Sequence, residues 1–195
     1  MGRFAAIDAT DPPPAHPIVF TGSSSIRMWS SLGADFPGKP VLNRGFGGSQ
    51  IRDVVWYADN VAIRYRPRQI VVYCGDNDID ARRSPQQVVS DFHAFVARIR
   101  RDLPEVPIAW ISIKPSVARA TQLGAQREAN ALVKAAAAGM RDVEYIDVFT
   151  PMLDASGQPR PELFVDDGLH MNRTGYALWR NIIGPYLEEE LELIT

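Results

Sequence analysis

Residues 19–29 read VFTGSSSIRMW: a short apolar run stops at Gly22, and Ser23, Ser24 and Ser25 follow. Further apolar runs recur along the chain, at Ile18-Val19-Phe20, Val41-Leu42, Ile70-Val71-Val72-Tyr73, Ile108-Ala109-Trp110-Ile111 and Val143-Glu144-Tyr145-Ile146. Most are apolar at nearly every position, as strands covered on both faces are. Helical patterns lie between them. Ser49 can cap a helix with Ile51, Val54, Val55 and Ala58 on one face. Ser84-Pro85-Gln86-Gln87 reads as a capping box with proline at the first helical position, opening a helix that buries Val88, Phe92, Phe95, Val96 and Ile99. An Ala-rich helix is expected over 118–138, stopping at Gly139. Asn172 can cap a last helix carrying Tyr176, Leu178, Trp179, Ile182 and Ile183, which Pro185 kinks or restarts. The acidic end LEEELEL is expected to fray, because acids sit badly at a helix C-terminus.

Five strands alternating with helices imply an α/β domain of three layers, a parallel sheet between helices, with right-handed crossovers. Residues 1–16 contain Pro12-Pro13-Pro14 and read as an extended arm, leaving 17–195 as one domain. In such sheets ligands bind beyond the carboxyl ends of the strands.

Composition narrows the classes. The 195 residues carry 21 Lys and Arg against 23 Asp and Glu, so neither nucleic acid nor a basic membrane anchor is indicated. No apolar run is long enough to cross a bilayer. The N-terminus lacks the apolar core of a signal peptide, which points to a cytoplasmic location, and Ala6 breaks the myristoylation pattern. Cys74 is the only cysteine, so no internal disulfide or cysteine metal site can form. The pattern does not specify an oligomeric state.

The loops after the strands hold the chemistry. Ser24 lies two residues past the first strand and opens a helix, where its own N–H is free and the helix end is positive. That suits a nucleophile, although serine is also a favoured N-cap. Ile26 stands where a nucleophile elbow would need its second glycine. Asp167 precedes His170 by three residues, close enough for a carboxylate to fix the tautomer that leaves Nε2 free to accept a proton. Gly48, in Gly47-Gly48, and Asn77, in Gly75-Asp76-Asn77-Asp78, can supply a backbone N–H and a side-chain amide to an oxyanion, or merely make turns. Asp76, Asp78 and Asp80 alternate as in a calcium loop, but Ala81 and Gln87 replace the glycine and the glutamate such a loop needs, so no metal is assigned.

Taken in order, these blocks resemble those of the SGNH, or GDSL, hydrolases. Gly22-Ser23-Ser24 resembles the GDS block, with Ser23 where the family has aspartate; Asn43-x-Gly45-x-Gly47-Gly48 resembles the second block; Gly75-Asp76-Asn77-Asp78 matches GxND, and Asp167-Gly168-Leu169-His170 matches DxxH. The chain looks similar to the small acetylhydrolases of the platelet-activating-factor type. The resemblance implies a flavodoxin-like α/β/α sandwich with strand order 2-1-3-4-5 and a serine esterase acting on short acyl chains. It also implies Ser24, His170 and Asp167 as nucleophile, base and orienter, and an oxyanion hole from Ser24, Gly48 and Asn77. It implies no metal or organic cofactor and a small ester as partner. A thioesterase, lysophospholipase or acyltransferase on the same triad, and a carbohydrate-binding protein with a dead site, remain the alternatives. Trp29, Phe46, Ile79, Met171 and Asp80 are candidates for the substrate pocket.

Overall fold

The computed structural model describes residues 2–189. The chain opens with α1 (Gly2–Thr10), then β1 (Ile18–Gly22), α2 (Ser24–Arg27), α3 (Leu32–Asp35) and β2 (Val41–Gly45). Next come α4 (Ile51–Trp56), α5 (Ala58–Val61), β3 (Gln69–Tyr73), α6 (Asp76–Asp80) and α7 (Pro85–Asp102). It closes with β4 (Ile108–Ile111), α8 (Leu123–Ala138), β5 (Val143–Ile146) and α9 (Arg173–Ile183). The strands pair in parallel in the order β2-β1-β3-β4-β5, the sandwich the resemblance implied.

Successive side chains leave a strand on opposite faces, and the two cores follow that period. Val19, Ile70, Val72, Ile108 and Trp110 face α4, α5, α7 and α8. Ile18, Phe20, Val71, Tyr73, Ala109 and Ile111 face α2, α3 and α9. Both faces of β1, β3 and β4 are covered, which is why these strands read as nearly unbroken apolar runs, while the edge strands β2 and β5 carry polar positions. On the first face Phe92 and Phe95 set their rings against Trp110, with centroids 4.9 and 5.7 Å away. Truncating a buried phenylalanine of this kind costs about 3–5 kcal/mol.

Local signals act where expected at Ser84, whose Oγ accepts from the Gln87 N–H while Gln87 returns a bond to the Ser84 N–H. Asn172 Oδ1 accepts from the Gly175 N–H and caps α9, and Pro185 restarts the chain as a 3₁₀ turn at Gly184–Tyr186. Elsewhere the reading changes. The N-cap position of α4 is Gln50, whose N–H donates to Asp53 Oδ2 at 2.9 Å, while the Ser49 carbonyl accepts from Asn77 and Cys74. The helix expected over 118–138 begins at Leu123 after a 3₁₀ turn, since Arg119 is drawn to the acids of α6. Leu187–Glu189 lie outside any helix, and the rest of the acidic end lies outside the described residues.

The extended arm is the main correction. Gly2–Thr10 is helical, and only the segment around Pro12-Pro13-Pro14 is irregular. Proline forbids helix at its own positions but leaves the preceding residues free to coil. The helix is then held by tertiary contacts. Asp8 pairs with the buried Arg44 and accepts from Tyr65 Oη at 2.8 Å. The Arg44 guanidinium stacks 5.2 Å from the Phe4 ring and 4.8 Å from the Tyr65 ring.

Candidate active site

The site stands at the carboxyl ends of β1, β2 and β3, where the central strands are most crowded. Gly22 ends β1 at φ +123°, and a Cβ there would fall 1.9 Å from the Tyr73 carbonyl oxygen, so only glycine fits. Ser23 follows in extended conformation and donates its N–H to that same oxygen at 3.0 Å. Its side chain makes no capping bond, so this turn is held by backbone. Ser24 then opens α2. Its N–H has no partner among the described residues, as the first turn of a helix leaves it.

The second loop is laid against the first. Phe46 donates its N–H to the Gly22 carbonyl at 2.8 Å, and Asn43 Nδ2 reaches the Ile26 carbonyl at 2.6 Å. Gly48 lines the same cavity as Ser24, and its N–H also lacks a partner among the described residues. Asn77, in the first turn of α6, donates from Nδ2 to the Ser49 carbonyl at 3.0 Å. Its Oδ1 accepts from both terminal nitrogens of Arg119 at 3.3 Å. A guanidinium can only donate, so Arg119 fixes the amide with its oxygen turned away and the second Nδ2 hydrogen free.

The third part comes from the loop before α9. Asp167 Oδ1 accepts from the N–H groups of Leu169 and His170, both at 2.8 Å, and Oδ2 lies 2.6 Å from His170 Nδ1. Desolvation pushes the Asp167 carboxyl up. The bonds from the His170 ring and the His170 and Leu169 N–H groups outweigh it and hold the carboxyl at about 2. The ring therefore carries its proton on Nδ1, and Nε2 can accept from Ser24 Oγ, 3.1 Å away. A cavity of about 980 Å³ opens over Ser24, Gly48, Asn77 and His170.

Of the expected pocket residues, Trp29 and Phe46 do line this cavity. Trp29 is mostly core: it is buried, bonds Asp35 at 2.7 Å and sits 5.2 Å from the Tyr176 ring. Ile79 and Met171 are absent from the lining and lie in the two cores. Ile79 sits on the inner face of the short α6, and Met171 pairs with Phe164 in an isolated bridge, so each is turned away from its polar neighbour. Asp80 points to Arg119 and Gln122.

A buried charge group behind the site was missed from sequence. Lys114 is 1% exposed, and its Nζ donates to the Leu169 carbonyl at 2.8 Å and lies 3.8 Å from Asp76 Oδ2. Burial pushes the Lys114 ammonium down, and the Asp76 carboxylate opposes that. Arg119 reaches Asp76 at 2.9 Å. One buried carboxylate thus joins the residue that braces the histidine loop to the one that orients the amide. Lys114 did have a signal, since it closely follows an apolar run at a strand's carboxyl end. Arg119 had none.

A model of the GDSL-like Lipase/Acylhydrolase family matches residues 15–178. No curated protein matches the chain. Among solved structures, a Streptococcus pneumonia protein provisionally named a platelet activating factor superposes with TM-score 0.84 at 22% identity, covering 96% of this chain and 90% of its own. A GDSL-like lipase from Bacteroides thetaiotaomicron gives 0.78 at 18% identity, with 95% of each chain covered. A carbohydrate esterase of family 3 from Talaromyces cellulolyticus gives 0.68 at 16% identity, covering 87% and 95%. No helix among the described residues is long and apolar enough to cross a membrane. With the family model spanning most of its length, the chain belongs to the GDSL-like lipase/acylhydrolase family and is a carboxylic ester hydrolase.

Proposed function

We propose that the chain hydrolyses esters of short acyl chains through an acyl-enzyme on Ser24, with His170 as base and Asp167 as its orienter. One observation carries this reading: His170 Nε2 lies 3.1 Å from Ser24 Oγ while Nδ1 lies 2.6 Å from Asp167. As Oγ attacks the ester carbonyl carbon, its proton passes to Nε2 and the carbonyl π electrons move onto oxygen. The N–H groups of Ser24 and Gly48 and the free Asn77 amide hydrogen serve that oxyanion. Collapse breaks the bond to the alcohol oxygen, which takes the proton from His170. Water then repeats the cycle and frees the acid.

The short-acyl preference is supported by the likeness to an acetyl esterase solved with an acetate ion. The cavity itself mixes polar residues and glycines, among them Ser30, Asn43, Gly45 and Gly47, with Phe4, Ile7, Leu32, Val41 and Phe46. The likeness to a carbohydrate esterase supports a polar alcohol part.

The test is hydrolysis of aryl esters from acetate to octanoate, with an organophosphonate as active-site label. Acetate and propionate esters are expected to turn over fastest, and Ser24→Ala should abolish both turnover and labelling. Labelling that survives Ser24→Ala would remove Ser24 as the nucleophile. A rate that climbs through octanoate would replace the short-chain reading.

A further inference from the structure

We propose that the ester this site takes is an anion, with a carboxylate or phosphate held by Arg27 and Arg3 at the cavity wall. The inference rests on the ester-hydrolase reading of Ser24 above. No aspartate or glutamate lines the cavity, whereas Arg3, Arg27 and Arg44 do. Arg44 is already neutralised by Asp8. Arg27 and Arg3 have no carboxylate partner among the described residues, so both guanidinium groups keep their charge at the cavity wall.

Arg27 is seated in the site. It is the last residue of α2, three positions after Ser24, and lies against the loop that carries Gly48. A Cβ on Gly47 would stand 3.0 Å from Arg27 Nε, close enough that the arginine would have to shift by a few tenths of an ångström, and in ordinary contact with its Cζ and Nη2 at 3.5 Å. Glycine at 47 therefore lets the guanidinium lie across the loop beside the proposed oxyanion donors. Arg3 reaches the same cavity from α1, whose Phe4 and Ile7 also line it and whose Asp8 docks it on Arg44.

Unpaired guanidinium groups around an acid-free cleft create a positive potential that draws in an anion. Their planar fork can grip a carboxylate or phosphate through two bonds. A neutral ester gains nothing from either arginine. The α1 helix, which precedes the matched family region, then acts as part of the substrate pocket.

The experiment compares kcat/KM for phenyl acetate, 3-carboxyphenyl acetate, 3-phosphonooxyphenyl acetate and phenyl hemisuccinate, each divided by its rate with hydroxide. The carboxylate and phosphate arms separate the two anions, and the hemisuccinate separates the acyl from the alcohol side. At least one anionic ester should exceed phenyl acetate by about tenfold, as a charge-assisted pair does. That advantage should fall below about threefold in roughly 0.5 M NaCl and in Arg27→Gln, and drop in Arg3→Gln. Anionic esters no better than phenyl acetate, or an advantage that survives Arg27→Gln, would overturn the proposal. If no ester turns over, the ester-hydrolase reading fails separately. Calorimetry of the wild-type protein with 3-hydroxybenzoate and inorganic phosphate then decides: binding lost in Arg27→Gln supports the anion site, and no binding overturns it.

Discussion

Lys114 carries its ammonium group into the interior, 2.8 Å from the carbonyl oxygen of Leu169, the residue before His170. A buried cation of this kind is kept by its partners, and its partners depend on it. In Lys114→Met the Leu169 carbonyl loses its donor and Asp76 keeps only Arg119 and Gln126. Stability is expected to fall by roughly 3–5 kcal/mol, as when one member of a buried pair is removed. In the folded fraction, kcat should fall more than KM rises, because the loop carrying His170 loses a brace. Urea unfolding and steady-state kinetics measure the two effects. A variant with wild-type kcat would mean the histidine loop needs no support from Lys114.

Asn77→Ala is expected to lower kcat by roughly a hundredfold or more, the usual loss for one oxyanion donor. Arg119→Met should give a smaller loss, on the order of tenfold, because the amide remains but can rotate. The two losses should not add in the double variant, since Arg119 acts through Asn77. Additive losses would separate Arg119 from the amide it contacts.

For Asp167→Asn the expected loss in kcat is on the order of a hundredfold. It should be smaller than the ~10⁴ recorded where the orienting carboxylate is buried. The reason is exposure: the Asp167 side chain is 46% exposed, so water can take over part of its hydrogen bonding. The carboxyl is held at about 2, so it stays ionised throughout the assay range. Any acid limb in the pH–rate profile then belongs to another group, and should persist in Asp167→Asn. An acid limb that disappears with this substitution would contradict the assignment.

Asp78 sets a pH dependence of stability. Burial pushes its carboxyl up to about 6 from 3.8, against the Ile51 N–H and Arg83, which pull it down. The folded state therefore holds a proton that the unfolded state releases. This group's contribution is complete below about pH 4 and is lost as pH rises through 6. The loss is on the order of 2–3 kcal/mol. Asp78→Asn should flatten stability between pH 4 and 7 in urea titrations, its amide oxygen still able to accept from Ile51. A slope equal to wild type would assign the titration elsewhere.

Legibility varied with the range of the interaction. The caps at Ser84 and Asn172 were readable because each bond closes within three residues. Ser49 misled, and its carbonyl accepts from Asn77, 28 residues away. The helical α1 was hidden by Pro12-Pro13-Pro14, since its docking depends on Arg44 and Tyr65 in distant segments. Ile79 and Met171 were placed in the pocket by closeness in sequence to site residues, and neighbours in sequence often face opposite ways.

The amino-acid order by itself determined the α/β alternation, the parallel sheet and the rim at which the four loops gather. Apolar runs can be buried on both faces only between helices, and crossovers have one hand. Only the tertiary structure decided that His170 and Ser24, 146 residues apart, come within a hydrogen bond. It likewise decided that Lys114, Asp76 and Arg119 share one buried cluster, and that Arg27 and Arg3 face a cavity without acids. The physical reason is that hydrophobic period and capping act between near neighbours along the chain, whereas charge pairing and burial depend on distances that exist only after the chain has folded.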